Sequence, residues 1–194
     1  MKIGVDIDGV IADFVTMFRK LVKKRYGVSL SESDIYAHDL FLVLGVQEQE
    51  AKKLIRETLL TKLKLVPNAK KSLAHLSKYH KIFIITARPK DLLEQTTRWL
   101  KSNGISYHGI VQQDEGEKHE SNLKLDVVIE DNLTEAIKWI GKAKKVLLFD
   151  HPWNKSLNVR NLITRVRDWE DIVRFIDNRS QKWRPRQFSQ EKRH

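Results

Sequence analysis

The sequence predicts an α/β fold in which helices cover a parallel sheet and a small helical cap follows the first strand. Two patterns in the 194 residues lead to this prediction. Short apolar segments of strand length alternate with segments of helical periodicity, which is typical of a parallel sheet buried on both faces. The chain between the first two strand-like segments is helical and too long for a single crossover, which indicates an inserted cap.

The elements of the first half come from apolar spacing. The first strand is predicted at residues 2–7, and the helix after it at 11–26, where apolar side chains recur at helical intervals. The segment LSESDIY at 30–36 is a capped turn or a short helix. Helical spacing returns at 47–60 and at 67–79, and Pro67 is well placed to open the second of these helices.

Strands and helices alternate in the second half. The segment KIFIITA at 81–87 predicts a buried strand, and residues 89–104 a helix with proline near its start and glycine at its end. A further helix begins at Asn132, where Glu135 completes a capping-box pattern, and a last helix is predicted at 168–177. The remaining strands are predicted at 105–113, 125–131 and 144–150.

These elements divide the chain into three parts. Residues 1–12 and 80–178 form the predicted catalytic core, 13–79 the helical cap, and 179–194 a basic C-terminal tail. The tail carries six Lys or Arg residues against one Glu, so it holds +5 of the net charge of +11. A solvated tail is the simpler interpretation, and contact with a polyanion is the alternative.

Composition narrows the classes of protein. The absence of cysteine excludes disulfides and thiolate metal sites. Asp6 and Asp8 interrupt the only early apolar run, which argues against a signal peptide, and later apolar runs are too short to span a bilayer. The sequence therefore predicts a cytoplasmic protein with no membrane partner, and a homodimer is compatible with it.

Polar residues follow the predicted strands at their carboxyl ends, where open parallel sheets bind ligands. Carboxylates gathered there would repel one another, and a divalent cation resolves that conflict. A site with only oxygen ligands favours Mg²⁺, and a hydroxyl and a lysine beside it suit a phosphate group. The residues concerned are Asp6, Asp8, Thr86, Lys118, Glu130, Asp131 and Asp150.

These segments resemble the four ordered motifs of the haloacid dehalogenase (HAD) superfamily of phosphatases. The motifs are DIDGV at 6–10, ITAR at 85–88 with Ile84 before it, Lys118, and VIEDN at 128–132. DIDGVIADF, the helical insert after it and the ending LLFDHPWN…ITRVRDWEDI are similar to the 5'(3')-deoxyribonucleotidases and their bacterial relatives. The resemblance spans about residues 2–177 and implies a Rossmann-like core, a phosphatase activity and Mg²⁺ as cofactor.

The resemblance assigns roles to the acidic residues. Asp6 would be the nucleophile that forms an aspartyl-phosphate, and Asp8 the general acid and base. Asp6, the backbone carbonyl of Asp8, and Asp131 would hold the metal. Glu130, where the family often has aspartate, would orient metal waters or Lys118 from outside the ligand set. An Asx turn at Asp8 and a helix N-cap at Asp131 are the structural alternatives.

The remaining roles concern phosphate and substrate. Thr86 and the backbone near Ala87 would bind phosphate oxygens, and Lys118 would neutralise charge on Asp6, with Lys124 as the alternative motif lysine. Arg88 departs from the related nucleotidases, and either contacts substrate or pairs on the surface. Phe14 and Phe18 are candidates for the substrate pocket, with a place in the core of the cap as the alternative.

The predicted function is a Mg²⁺-dependent hydrolase of phosphate monoesters. The predicted substrate is a small-molecule phosphate ester, with a (deoxy)ribonucleoside monophosphate as the leading candidate. A phosphatase for a sugar phosphate or another metabolite is the alternative, because the cap decides the substrate. Nucleic-acid binding through the tail and the run RKLVKKR at 19–25 is disfavoured as the sole function, because the catalytic set is complete.

Overall fold

A computed structural model describes residues 1–36, 40–155 and 162–182, and it contains a parallel sheet of six strands. The strands are β1 (Lys2–Val5), β2 (Lys81–Thr86), β3 (Gly109–Gln112), β4 (Val127–Glu130), β5 (Lys145–Phe149) and β6 (Thr164–Val166). Their order across the sheet is β3-β2-β1-β4-β5-β6, so β1 and β4 lie at its centre. This architecture confirms the predicted α/β fold with a Rossmann-like parallel sheet.

Seven α-helices are described, and single turns of 3-10 helix lie at Lys90–Leu92, Lys118–Glu120 and Pro152–Asn154. No helix within the described residues is long and apolar enough to cross a membrane. The helices are α1 (Phe14–Tyr26), α2 (Leu40–Leu44), α3 (Glu48–Leu59), α4 (Ala69–Leu76), α5 (Leu93–Ser102), α6 (Leu133–Lys138) and α7 (Trp169–Lys182).

The sheet is buried on both faces. Successive residues of a strand point to opposite faces, so a single strand can contribute side chains to an apolar core on each face. On β4, Val127 and Ile129 belong to a large apolar core that includes residues of α4, α5 and α7. Val128 lies on the other face, in a smaller core that includes Trp139 after α6. The crossover helices therefore lie on both sides of the sheet, as the apolar strands predict.

The two chain segments that join the cap to the core run beside each other. Asp13 donates a backbone hydrogen bond to Lys64 (2.9 Å), and Val66 donates one to Ile11 (2.8 Å). Residues 14–63 leave and return through this paired connection. Helix α4 lies beyond it and contacts α7 instead, through His75 Nε2 and Asp177 Oδ2 at 3.0 Å. We therefore propose a cap of residues 14–63 and assign α4, which the sequence placed in the cap, to the core.

Several local features differ from the sequence prediction. Strand β6 at Thr164–Val166 was not predicted, because a three-residue strand that contains Thr and Arg shows no apolar run. Helix α7 continues to Lys182, past the predicted end at residue 177, and residues 183–194 of the tail lie outside the described residues. At α6 only half of the capping box forms: Asn132 caps the helix, but Glu130, not Glu135, accepts a hydrogen bond from the Asn132 backbone.

Candidate active site

A cavity of about 440 Å³ lies between the carboxyl ends of the central strands and the cap. Its polar wall comes from the core and carries the side chains that follow β1, β2 and β4. Its other wall comes from the cap and is mainly apolar, with Phe14, Val15, Leu40, Ile55 and Leu59, but it also includes the charged residues Lys52 and Arg56. The predicted residues among its lining are Asp6, Asp8, Phe14, Thr86, Ala87, Arg88, Lys118 and Asp131.

Lys118 connects two of the acidic residues. Its Nζ lies 2.7 Å from Asp6 Oδ1 and 2.7 Å from Glu130 Oε1, and all three side chains are buried. Burial would lower the pKa of Lys118, but the charges of Asp6 and Glu130 outweigh it and hold the pKa well above its usual range. Lys118 is therefore a fixed cation, whereas the alternative Lys124 is exposed.

Asp6, Glu130 and Asp131 form a compact acidic cluster. One carboxylate oxygen from each lies within 4.8 Å of the others, and all three residues are buried. Burial raises the pKa of Asp131 well above its usual range, and the nearby charges of Asp6 and Glu130 raise it further. Burial also raises the pKa of Glu130, to about 7. With one lysine for three carboxylates, the cluster lacks positive charge.

The backbone beside this cluster is shaped closely around Asp131. Gly9 has φ +83°, and a Cβ atom at that position would lie 2.1 Å from Asp131 Oδ2. Only glycine fits there, because a side chain would both strain the backbone and displace the carboxylate. Buried carboxylate oxygens that converge beside a backbone of fixed shape fit a hard divalent cation such as Mg²⁺.

Asp8 and Arg88 form a second, separate ion pair in the cavity. Arg88 donates from Nε to Asp8 Oδ2 (2.8 Å) and from Nη2 to Asp8 Oδ1 (2.7 Å). The Arg88 side chain is 5% exposed, whereas that of Asp8 is 27% exposed. Of the two predicted alternatives for Arg88, a surface pair is excluded because the guanidinium is buried.

Thr86 is oriented by Arg88, the last residue of the ITAR motif. Its Oγ1 accepts a hydrogen bond from the backbone N–H of Arg88 (3.2 Å), so its hydroxyl hydrogen can be donated elsewhere. Thr86 is 1% exposed and lines the cavity together with Ala87. Their position agrees with the predicted binding of phosphate oxygens.

The two predicted aromatic residues differ in position. Phe14 and Phe18 stack with ring centroids 5.8 Å apart on α1, and only Phe14 lines the cavity. Phe18 is fully buried behind it. The prediction that Phe18 lies in the substrate pocket is thus corrected: its side chain packs in the core of the cap.

Comparison with known proteins identifies the family. The family model described as "5' nucleotidase, deoxy (Pyrimidine), cytosolic type C protein" matches residues 1–182. The chain belongs to this family. A nucleotidase of Clostridium acetobutylicum, named CA_C3379, is 28% identical over an alignment of 184 residues that covers 91% of this chain and 94% of that protein.

Solved structures show the same fold at low identity. A HAD-like hydrolase, SP0104 of Streptococcus pneumoniae, superposes with a TM-score of 0.67 at 14% identity, covering 90% of this chain and 97% of that one. The "putative HAD-hydrolase YfnB from Bacillus subtilis bound to magnesium" gives 0.61 at 12% identity, covering 91% and 98%. These solved structures show the HAD-like fold, and the family match shows that the protein is a nucleotidase-type phosphatase, an enzyme that acts on a small phosphate ester.

A cluster to which the sequence assigned no role in the site lies next to the acidic residues. Trp153 Nε1 donates to Asp131 Oδ2 (3.1 Å), and Asn154 Nδ2 donates to the backbone oxygen of Asp131 (2.8 Å). The His151 ring stacks on Trp153 with centroids 4.1 Å apart, and its Nε2 lies 2.8 Å from the Gly9 oxygen.

This cluster fixes both the orientation of Asp131 and the backbone of Gly9. The segment DHPWN supplies it directly after β5, at the carboxyl edge of the sheet. That position was the available signal in the sequence, since side chains that follow a strand at this edge face the site.

Proposed function

We propose that this protein is a Mg²⁺-dependent 5'-nucleotidase that acts on (deoxy)ribonucleoside monophosphates through an aspartyl-phosphate intermediate. One observation supports the proposal most directly. Asp6 lies buried against Lys118 and beside Asp131, and it faces a cavity whose opposite wall is mainly apolar. A nucleophile, fixed positive charge and a wall for an uncharged group are what a phosphate monoester with an organic leaving group requires.

The first step is attack of Asp6 on phosphorus. A bond forms between an Asp6 carboxylate oxygen and phosphorus, the bond from phosphorus to the leaving oxygen breaks, and Asp8 gives its proton to that oxygen. Lys118 Nζ, 2.7 Å from Asp6 Oδ1, offsets the charge of the nucleophile and of the phosphoryl group. Thr86 and the backbone at Ala87 hold the phosphoryl oxygens.

The second step releases phosphate. A water molecule attacks phosphorus and gives a proton to Asp8, the bond from Asp6 oxygen to phosphorus breaks, and both carboxyl groups return to their starting states. Asp6, Asp131 and the Asp8 carbonyl would hold Mg²⁺, with Glu130 outside the ligand set. When bound, this ion would supply positive charge that balances the carboxylates and the phosphoryl oxygens.

The cavity supports a nucleotide-sized substrate. Its volume of about 440 Å³ falls in the range of small-molecule sites, and its cap wall is mainly apolar, with the ring of Phe14 on it and with Lys52 and Arg56 as charged exceptions. Arg56 of α3 also forms an exposed ion pair with Asp91 of the core. A cap over the site limits the access of water during the first step.

The test is a panel of ribo- and deoxyribonucleoside 5'- and 3'-monophosphates and sugar phosphates, assayed with Mg²⁺. We expect nucleoside monophosphates to be preferred and Asp6→Asn to abolish turnover. Asp13→Asn is the matched control, because Asp13 only caps α1 through Thr16 (3.2 Å) and asparagine caps equally well. Wild-type turnover by Asp6→Asn would disprove the role of Asp6 as nucleophile. Preference for one sugar phosphate would establish the alternative substrate class.

The cytoplasmic location and the homodimer stay predictions. Cell fractionation tests the first, and light scattering of the purified protein tests the second.

A further inference from the structure

The bidentate pair between Arg88 and Asp8 gives Arg88 a function that the family's motif roles do not include. Both donors that Arg88 directs at Asp8 are engaged at 2.7–2.8 Å, and its third nitrogen, Nη1, lies 3.4 Å from Thr96 Oγ1. Three of the five guanidinium N–H groups are thereby engaged, and the two short hydrogen bonds both go to Asp8. The main effect of Arg88 in this structure is therefore on the Asp8 carboxyl group.

The guanidinium is fixed from several sides. It lies over the Trp99 ring with 5.5 Å from Cζ to the ring centroid. The Arg88 backbone is fixed as well, because its N–H donates to Thr86 Oγ1 and its carbonyl accepts from Gln112 Nε2. An arginine held in this way presents a rigid planar fork, which determines the plane and the direction of the carboxyl group it binds.

Asp8 needs such support because few other contacts orient its side chain. It follows the end of β1, its side chain is 27% exposed, and the described side-chain hydrogen bonds to it all come from Arg88. Each carboxylate oxygen has two lone-pair directions, and Arg88 takes one on each. The second direction stays open toward the cavity for the proton that the leaving oxygen receives.

We propose that Arg88 is a positioning residue that orients Asp8 for proton transfer to the leaving group. This inference rests on the proposed function, in which Asp8 is the general acid. It predicts that the loss caused by removing Arg88 depends on how much the leaving group needs a proton.

The test compares two esters by kcat/KM, which reports the steps up to departure of the first leaving group. The esters are 2'-deoxyuridine 5'-monophosphate, whose alkoxide leaves poorly without a proton, and p-nitrophenyl phosphate, whose phenolate leaves well. Glycerol 2-phosphate replaces the nucleotide if wild type hydrolyses no nucleotide. For Arg88→Met we expect a loss on the alkyl ester of about 10- to 100-fold, the range for a misplaced catalytic group, and a much smaller loss on the aryl ester.

Further variants separate positioning from other roles. Arg88→Lys should not restore kcat/KM for the alkyl ester, because a single ammonium cannot bind both carboxylate oxygens in one plane. The double variant Asp8→Asn/Arg88→Met should be no worse than Asp8→Asn, since the two residues act as one unit. The control is Arg25→Met, which removes an exposed bidentate pair with Glu57 (2.7 Å to both oxygens) and should leave the ratio of the two esters unchanged.

Partial unfolding cannot imitate this result. The ratio of kcat/KM for two esters is measured on one preparation, so the active fraction cancels. Equal losses on both esters, full rescue by Arg88→Lys, or additive losses in the double variant would each overturn the role of Arg88. If Asp8→Asn itself lowers both esters equally, the proposed role of Asp8 has failed as well, and the two failures are thereby distinguished.

Discussion

Replacing Trp153 by phenylalanine should weaken metal binding without preventing catalysis at saturating metal. The change removes the hydrogen bond of 3.1 Å from the indole Nε1 to Asp131 Oδ2 and keeps an aromatic ring beside His151. Loss of a hydrogen bond to a charged group costs about 1.5–3 kcal/mol. Loss of a partner that orients a metal ligand lowers metal affinity about 10- to 100-fold, which is about 1.4–2.7 kcal/mol, so the two magnitudes agree.

The assay is calorimetric titration of the metal-free protein with Mg²⁺, followed by kcat at saturating Mg²⁺. We expect the dissociation constant to rise about 10- to 100-fold, while kcat changes far less. Trp139→Phe is the matched control, because Trp139 is also buried but its Nε1 has no hydrogen-bond partner among the described atoms. An unchanged dissociation constant in folded Trp153→Phe, or an equal rise in Trp139→Phe, would refute the reasoning.

Three further predictions concern the lysine, the metal and the pocket. Lys118→Met should lower kcat by about 10²-fold or more and destabilise the fold by about 3–5 kcal/mol, because it leaves buried carboxylates uncompensated, whereas Lys124→Met should change neither quantity measurably in kinetic and urea-unfolding assays. Adding Mg²⁺ at 100 times its dissociation constant should raise Tm in a calorimetric scan by about 5–11 °C, and an excess of a chelator that removes Mg²⁺ should abolish the rise. Phe14→Leu should raise KM for a nucleotide about 2- to 13-fold through lost stacking, with Phe18→Leu leaving KM unchanged.

Much of the fold could be predicted from local patterns. Strands β1, β2, β4 and β5 are apolar runs, and their periodicity reports burial directly. Strand β6 could not be found in this way, because three residues that include Thr164 and Arg165 show no apolar run. The cap boundary proposed from the structure also differs from the predicted one, since periodicity predicts α4 as a helix but does not say against which layer it packs.

The candidate site divides along the same line. The strand ends predicted that Asp6, Glu130 and Asp131 would meet, because all parallel strands end at one edge of the sheet. Asp150 was expected with them, but it pairs with Arg165 (2.8 Å) and is not among the described residues that line the cavity.

The partner of Arg88 could not be predicted: Asp8 lies 80 residues away, and the side-chain direction depends on Trp99 and Thr96. For the same reason the sequence assigned Trp153 no role in the site, although its hydrogen bond to Asp131 spans only 22 residues.

The two acids at the end of β1 are paired with different cations, and the difference suits the roles proposed for them, Asp6 as nucleophile and Asp8 as proton donor. Asp6 shares the ammonium of Lys118 with Glu130, and an ammonium is a point charge that constrains the carboxylate plane little. A nucleophile must keep one oxygen able to approach phosphorus, so loose angular restraint serves it. Asp8 is held by a planar fork, and a proton donor must keep a fixed direction toward one leaving oxygen. Two carboxylates two residues apart can therefore perform different chemistry, because the cation that each one meets decides how far it can turn.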